Sequence, residues 1–187
     1  MVGVVLRVRD GHLEALVGSA GLRPGEQLAA ALSRAVDVPA LAHVEQLETR
    51  VLSHGEVATA YLGLVPADNG LAGPWHEVTE PAEHPELVAA AQARLRAKLS
   101  YTNVGFALAP SVFTISELRE VYVAALGHDV SATNLQRVLV RRRVLERVDR
   151  RRPSGRSGGR PAALFRFASN RLEVTDEFAA LRPPHRP

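Results

Sequence analysis

The stretch FTISELREVYVAALGHDVSATNLQRVL, residues 113–139, carries the signals of two short helices in direct succession. Thr114 and Glu117 have the spacing of a capping box, in which each side chain bonds the backbone amide of the other residue. Gly127 is suited to end this first helix, and Ser131 is suited to cap a second helix a few residues later. Two capped helices separated by a short glycine-containing turn predict a helix-turn-helix.

A basic β-hairpin is expected directly after the second helix. Residues 144–148 can pair with residues 163–168 as two short strands. The tip between them is rich in glycine and serine, and it contains Arg150, Arg151, Arg152, Arg156 and Arg160. A helix-turn-helix followed by a basic β-hairpin predicts a winged helix, with this hairpin as the wing.

Arginine is concentrated in this part of the chain. Residues 137–166 contain 11 arginines against two acidic residues, a net charge of +9, whereas the remainder carries 12 basic and 18 acidic residues. This asymmetry favours a polyanion as the partner of the basic segment. The alternative is that the arginines form a solvated surface or a disordered tail.

The second helix carries the kinds of side chain that read DNA bases. The residues expected to face the groove are Thr133, Asn134, Gln136 and Arg137. Asparagine and glutamine can pair with adenine, and arginine with guanine. Backbone contacts are expected from Arg141, Arg142 and Arg143, together with the five arginines of the hairpin tip. The alternative is an exposed polar helix in an oligomerisation module.

The N-terminal part of the sequence predicts a mixed sheet with one helix packed on it. Strands are expected at residues 2–8 and 13–17, joined by a tight turn at Asp10-Gly11. A helix is expected over residues 26–38, and further strands lie within residues 44–65. Near residue 75 a short strand is expected, and a helix from Pro85 to about Ser100 then leads to the winged helix.

The expected organisation has four parts. Residues 1–80 form the sheet domain, residues 81–100 a connecting helix, residues 101–170 the winged helix and residues 171–187 a C-terminal tail. The chain has no cysteine, which excludes disulfides and thiolate chemistry. The sequence has no long apolar run, so a cytoplasmic protein that does not span a membrane is expected. Its seven histidines are scattered, so no metal site is expected.

Several motifs together resemble the Nudix-related transcriptional regulators of NAD metabolism in bacteria (NrtR-like). They are Leu99-Ser100-Tyr101, Pro110, Phe113-Thr114-Ile115-Ser116-Glu117-Leu118, Val121-Tyr122, Asn134, Gly159-Arg160-Pro161-Ala162 and Phe165-Arg166-Phe167. The resemblance covers roughly residues 44–168. It implies a homodimer that binds palindromic operators in double-stranded DNA and is released by ADP-ribose or a related nucleotide.

The same resemblance allows a test for hydrolysis. In the Nudix motif, several glutamates on one helix hold divalent metal against a diphosphate. Pro24-Gly25-Glu26 and Arg34 match the motif, but the later catalytic positions fall on Ala35, Val38 and Pro39. We therefore expect a degenerate Nudix-like domain with no catalytic residues, no metal and no cofactor. Weak candidates for residual nucleotide contacts are Arg7, Arg50 and Tyr61.

The sequence thus predicts an α+β fold, with a degenerate Nudix-like mixed sheet and helix followed by a winged helix-turn-helix. The predicted function is that of a bacterial DNA-binding transcriptional regulator, acting as a repressor. Two alternatives stay open. One is a Nudix-type nucleotide-sugar pyrophosphatase with an atypical metal site, and the other is a winged-helix scaffold for protein interaction.

Overall fold

The computed structural model describes residues 1–38, 40–51, 55–66, 73–80, 83–152 and 162–176, with only the backbone for residues 150–152. The N-terminal elements are β1 (Val2–Arg9), β2 (His12–Ser19), α1 (Leu28–Val36), β3 (His43–Val51), β4 (Val57–Leu64) and β5 (His76–Glu77). The C-terminal elements are α2 (Pro85–Tyr101), α3 (Ile115–Leu126), α4 (Ala132–Arg141), β6 (Leu145–Arg152) and β7 (Ala162–Phe167). Residues Val104–Ala107 form a short 3-10 turn between α2 and α3.

The first five strands form one mixed sheet in the order β3-β4-β1-β2-β5. Strands β1 and β4 are parallel, and the remaining neighbours are antiparallel. The predicted turn joins β1 to β2, where Asp10 and Gly11 both have positive φ angles, of 50° and 81°. This backbone conformation is the one that a two-residue hairpin requires and that an aspartate-glycine pair tolerates.

The sheet is covered on both faces. On one face, Val5 and Leu16 pack with Leu32 and Val36 of α1. On the other face, a larger core runs from β1, β2 and β4 through α2 and α3 to α4 and the wing strands. Because this core is continuous, the winged helix packs directly on the sheet. The division at residues 80 and 100 stays a prediction.

Helix α1 lies close to β2 because β2 has a glycine at the contact. A Cβ atom on Gly18 would lie 2.1 Å from the backbone oxygen of Ala35. The helix is shorter than the predicted 26–38, and it ends at Asp37, which has a left-handed backbone. Glu26 therefore lies in the turn before the helix, and its carboxylate bonds back to that turn.

Helix α2 is packed on the sheet along its length. Its buried side chains include Leu87, Ala91, Leu95 and Leu99. An ion pair between Lys98 and Glu45 (Nζ–Oε2 2.6 Å) joins the helix to β3. Among the described residues, no helix is both long and apolar enough to cross a membrane.

The segment after β7 returns to the end of α2. Val174 forms an antiparallel bridge with Thr102. The buried Asn103 side chain donates a hydrogen bond to the carbonyl of Arg171 (2.8 Å) and accepts one from the amide of Glu173 (2.8 Å). Residues 171–176 of the predicted tail are thus held against the core, and residues 177–187 lie outside the described part of the chain.

Candidate nucleic-acid interface

The helix-turn-helix is held by local hydrogen bonds at both helix starts. The predicted capping box is present, since the Glu117 amide donates to Thr114 Oγ1 and the Thr114 amide donates to the Glu117 carboxylate. Gly127 ends α3 in a left-handed conformation with φ 73°. At α4, the Ser131 hydroxyl accepts from the amide of Asn134 (3.5 Å). These predicted helix limits are confirmed.

The turn between the two helices is fixed by a residue that the sequence did not reveal. Arg119 of α3 donates from Nε to the carbonyl of Val130 (2.8 Å) and pairs through Nη2 with Asp129. Both partners precede the cap of α4, so Arg119 sets the direction in which α4 leaves α3. In the sequence, Arg119 looks like any other exposed helix arginine. Its partners lie 10 and 11 residues away, and no local sequence signal identifies its role.

Helix α4 has one buried and one exposed face. Leu135, Val138 and Leu139 are buried in the core. The exposed residues include Thr133, Asn134, Gln136, Arg137 and Arg141. All five are predicted DNA contacts, and their exposure leaves short polar groups available in the N-terminal half of the helix and cations in its C-terminal half. Their role in DNA binding stays a prediction.

Two of these side chains are already in contact with each other. Arg137 donates from Nη2 to Oδ1 of Asn134 at 2.7 Å. The two residues are three positions apart, so they are neighbours on the helix surface. Gln136, which is also exposed, makes no such bond within the described part of the chain.

The three arginines at the C-terminal end of α4 have different environments. Arg141 and Arg143 are exposed, and Arg143 has a positive φ of 56°. The side chain of Arg142 is only 3% exposed, pairs with Asp176 and donates to the carbonyl of Ser100 at 3.1 Å. The expectation that Arg142 contacts the DNA backbone therefore does not fit this structure, because its guanidinium is directed into the protein.

The wing consists of β6 and β7, which pair antiparallel from Leu145 opposite Phe167 to Arg152 opposite Ala162. Phe113 joins this hairpin through two backbone hydrogen bonds with Phe165, of 3.0 and 2.8 Å. Its ring packs on Phe167 with centroids 5.5 Å apart. The wing is thereby attached to the residue that precedes α3, so helix and wing are held together.

The charges of the wing are partly paired. Arg166 donates to Glu146 at 2.9 and 3.0 Å on the directly opposite strand position. Arg147 is exposed on β6 and had not been assigned to DNA contact. The backbone of Arg150, Arg151 and Arg152 lies in β6. Arg156 and Arg160 lie outside the described residues.

The turn before α1 is closed by an ion pair between Arg34 and Glu26. Arg34 donates to both oxygens of Glu26, at 3.1 and 2.9 Å, and to the carbonyl of Gly21 at 2.8 Å. The hydrogen bond from the Arg34 guanidinium lowers the pKa of Glu26 and so favours its charged form. No group of three or more metal-ligating side chains occurs in the described part of the chain.

The three weak candidates for nucleotide binding do not converge. Arg7 is buried, bonded to Glu14 (Nε–Oε2 2.6 Å) and stacked 3.9 Å from the ring centroid of Trp75. Tyr61 packs with the core beneath α1. Arg50 pairs across the strands with Ala58, which places it on the opposite face of the sheet from Tyr61. Their role as nucleotide contacts stays a prediction.

An open cleft of about 540 Å³ lies where β1 and β4 begin and β2 ends. Its lining includes Met1, Ser19, Gly21, Glu56, Glu83 and His84. Clefts of this size accommodate small organic ligands. The cleft adjoins the turn that contains Gly21 and Glu26, and none of the three weak candidates is among its described lining residues.

The C-terminal part of the chain matches a known family of domains. Residues 105–167 fit the family model of the NrtR DNA-binding winged helix domain. These residues are thus similar to the NrtR winged helix domain. The resemblance inferred from the sequence motifs is confirmed, and the match contains α3, α4 and both wing strands.

A curated relative and two crystal structures extend the NrtR-like comparison. The ADPR-responsive transcriptional repressor NtrR of Acinetobacter baylyi is 36% identical over 86 residues, 46% of this chain and 33% of the relative. The chain thus matches about a third of that protein's length. Shewanella oneidensis NrtR complexed with a 27mer DNA matches with TM-score 0.72 at 22% identity, over 89% of this chain and 93% of that one. A second crystal structure of S. oneidensis NrtR gives 0.69 at 22% identity and 96% coverage of both. The α+β fold class is confirmed.

Proposed function

We propose that this chain is a sequence-specific DNA-binding transcriptional repressor that reads its operator with α4. The observation that carries the proposal is the exposed face of α4, where Thr133, Asn134 and Gln136 project from the N-terminal half and Arg137 directly follows it. In helix-turn-helix proteins, this half of the second helix contacts base edges in the major groove. The S. oneidensis protein with the same fold was crystallised with DNA, which supports the same use here.

The charge distribution supports the same partner. The segment 137–166 carries +9 in a chain of +3 overall. Three further arginines near or at the end of α4, Arg141, Arg143 and Arg147, are exposed, and exposed arginines suit contacts to phosphates. Because such contacts release counterions, affinity for DNA should fall steeply as salt rises.

We also propose that the repressor is a homodimer on a palindromic operator in the cytoplasm. Helix-turn-helix dimers place two recognition helices about one DNA turn apart, roughly 34–36 Å, so each copy reads one half-site. A single α4 reads only a few base pairs, and two copies double the length of sequence recognised.

We propose that the N-terminal sheet unit binds ADP-ribose or a related nucleotide without hydrolysing it. The A. baylyi relative is described as ADPR-responsive, which supports this effector. The cleft beside the Gly21 turn has the size for it, but Glu56 and Glu83 in its lining repel a diphosphate. Because magnesium would screen this repulsion, binding should be measured by calorimetry with and without magnesium. If ADP-ribose gives no heat in either condition, this part of the proposal is wrong.

The proposal is tested on DNA taken from upstream of the gene that encodes the chain. Footprinting should show protection of a palindromic site, and anisotropy should show affinity that falls with salt. Arg137→Ala should weaken binding to this site by about 1–3 kcal/mol and leave random duplexes little affected. A matched control is Arg23→Ala, since the turn before α1 lies on the opposite face of the sheet from α3.

Other outcomes would favour the alternatives. If neither specific nor random DNA binds, the winged helix is a protein-interaction scaffold. If ADP-ribose with magnesium yields AMP at enzymatic rates and Glu26→Gln abolishes this turnover, the chain is a hydrolase with an unusual metal site.

A further inference from the structure

We propose that Asn134 acts as the positioning residue of Arg137, and that the two side chains together read a single guanine. This inference rests on the proposed function and assigns one base contact within it. By residue type alone, Asn134 could pair with adenine and Arg137 with guanine. The hydrogen bond between them favours a joint role.

The side chains of Arg137 and Asn134 are joined by a short hydrogen bond. Arg137 Nη2 lies 2.7 Å from Asn134 Oδ1, a distance typical of a strong hydrogen bond to a guanidinium. Asparagine reads adenine by accepting from N6 with Oδ1 and donating to N7 with its amide. Here Oδ1 already accepts from Arg137, so Asn134 is not preset for that pairing.

Arg137 keeps hydrogen-bond donors for a base after it has bonded to Asn134. Arginine has five N–H donors in a planar fork, and guanine offers O6 and N7 as paired acceptors. One Nη2 hydrogen is used by Asn134. The other Nη2 hydrogen and both Nη1 hydrogens remain for a bidentate contact at the exposed end of the side chain.

Two successive hydrogen bonds connect Arg137 to the start of α4. The backbone amide of Asn134 donates to the hydroxyl of Ser131, the cap of α4, at 3.5 Å. This bond fixes the backbone of Asn134 in the first turn, and the bond from Arg137 to the Asn134 side chain then ties the guanidinium to the helix start. Holding an arginine in its bound rotamer reduces the conformational entropy lost when it binds a base.

The experiment begins with the full-length wild-type protein and a library of randomised double-stranded DNA. The most enriched duplex and all its single base-pair variants are then measured by anisotropy with wild type, N134A, R137A and the double variant. Circular dichroism checks that each variant is folded. Gln136→Ala is the matched control, because Gln136 is an exposed amide on the same helix without the bond to Arg137.

We expect R137A to lose a guanine preference of about 5- to 150-fold at one base pair. N134A should weaken the preference at that same base pair, and the double variant should be no worse than R137A. Q136A should affect a different base pair. Asn134→Asp, which keeps an acceptor for Arg137, should retain the guanine preference, whereas Asn134→Leu should not.

The inference is overturned if N134A relaxes an adenine preference at another base pair, or if the losses in the double variant multiply. It is also overturned if wild type prefers no guanine at the base pair that R137A affects. If wild type enriches no sequence at all from the library, the proposed function itself is wrong. Loss of preference at the Arg137 base pair in N134L but not in N134D would be the direct signature of positioning.

Discussion

Arg142 and Asp176 form a buried ion pair that ties the end of α4 to the segment after the wing. Their side chains are 3% and 13% exposed. Arg142 also donates to the carbonyl of Ser100, at the end of α2. This guanidinium therefore joins three parts of the chain, and we expect their relative positions to depend on it.

Replacing Asp176 with asparagine should destabilise the protein by about 3–5 kcal/mol, because it leaves the buried Arg142 without a counter-charge. The measurement is the free energy of unfolding from urea denaturation. Asp10→Asn is the matched control, since that carboxylate is 89% exposed and its loss should change stability by less than about 0.5 kcal/mol. Equal stability of both variants would show that the pair contributes nothing.

Gly18 should not tolerate a side chain. Its added Cβ would lie 2.1 Å from the backbone oxygen of Ala35, so α1 would have to move away from β2. Gly18→Ala should cost about 1–3 kcal/mol, the usual range for an overpacked core. Gly21→Ala has no atom within 4 Å of the added Cβ and should be close to neutral. A stable Gly18→Ala variant would contradict the described packing of α1.

His43 should make stability depend on pH. Burial lowers its pKa below 6.5, and the charge of Lys98 adds to this, although Glu45 opposes it. Between this lowered pKa and 6.5, the unfolded chain binds a proton that the folded chain does not. The contribution of His43 is therefore complete above pH 6.5 and is lost as pH falls.

The measurement is the free energy of unfolding in urea between pH 8 and pH 5.5. Wild type should lose stability below pH 6.5 faster than His43→Gln, while the two slopes should agree above pH 7. Parallel curves across the whole range would show that His43 is protonated equally in both states.

The features that were predictable from sequence depend on near neighbours in the chain. Thr114 and Glu117 cap α3 because their groups meet within one turn. Asp10 and Gly11 form the hairpin because few residues adopt positive φ at two successive positions. The buried side of α4 follows from the spacing of Leu135, Val138 and Leu139, since helical periodicity brings them to one face.

The features that were missed depend on partners far along the chain. Arg141, Arg142 and Arg143 are identical neighbours, and the middle one is distinguished by its distant partners, the Ser100 carbonyl and Asp176, which comes 34 residues later. Arg7 likewise lies in an apolar strand, and its ring partner Trp75 is the residue just before β5. Sequence pattern assigns a face to such residues but does not identify the distant group that pairs with them.

DNA affinity should depend on Arg141 and Arg143, whereas the stability of the fold should depend on Arg142. Arg141→Ala and Arg143→Ala should each weaken binding to specific and random duplexes alike, because exposed cations beside α4 contact phosphates. Each should lower the salt slope of log affinity by about one unit per lost contact, with little change in unfolding. Arg142→Ala should instead destabilise the fold and leave the salt slope unchanged under conditions where the variant is folded. Anisotropy titrations at several salt concentrations, run beside urea denaturation, separate these effects. If Arg142→Ala lowered the salt slope as its neighbours do, its guanidinium would have to leave Asp176 and reach the DNA.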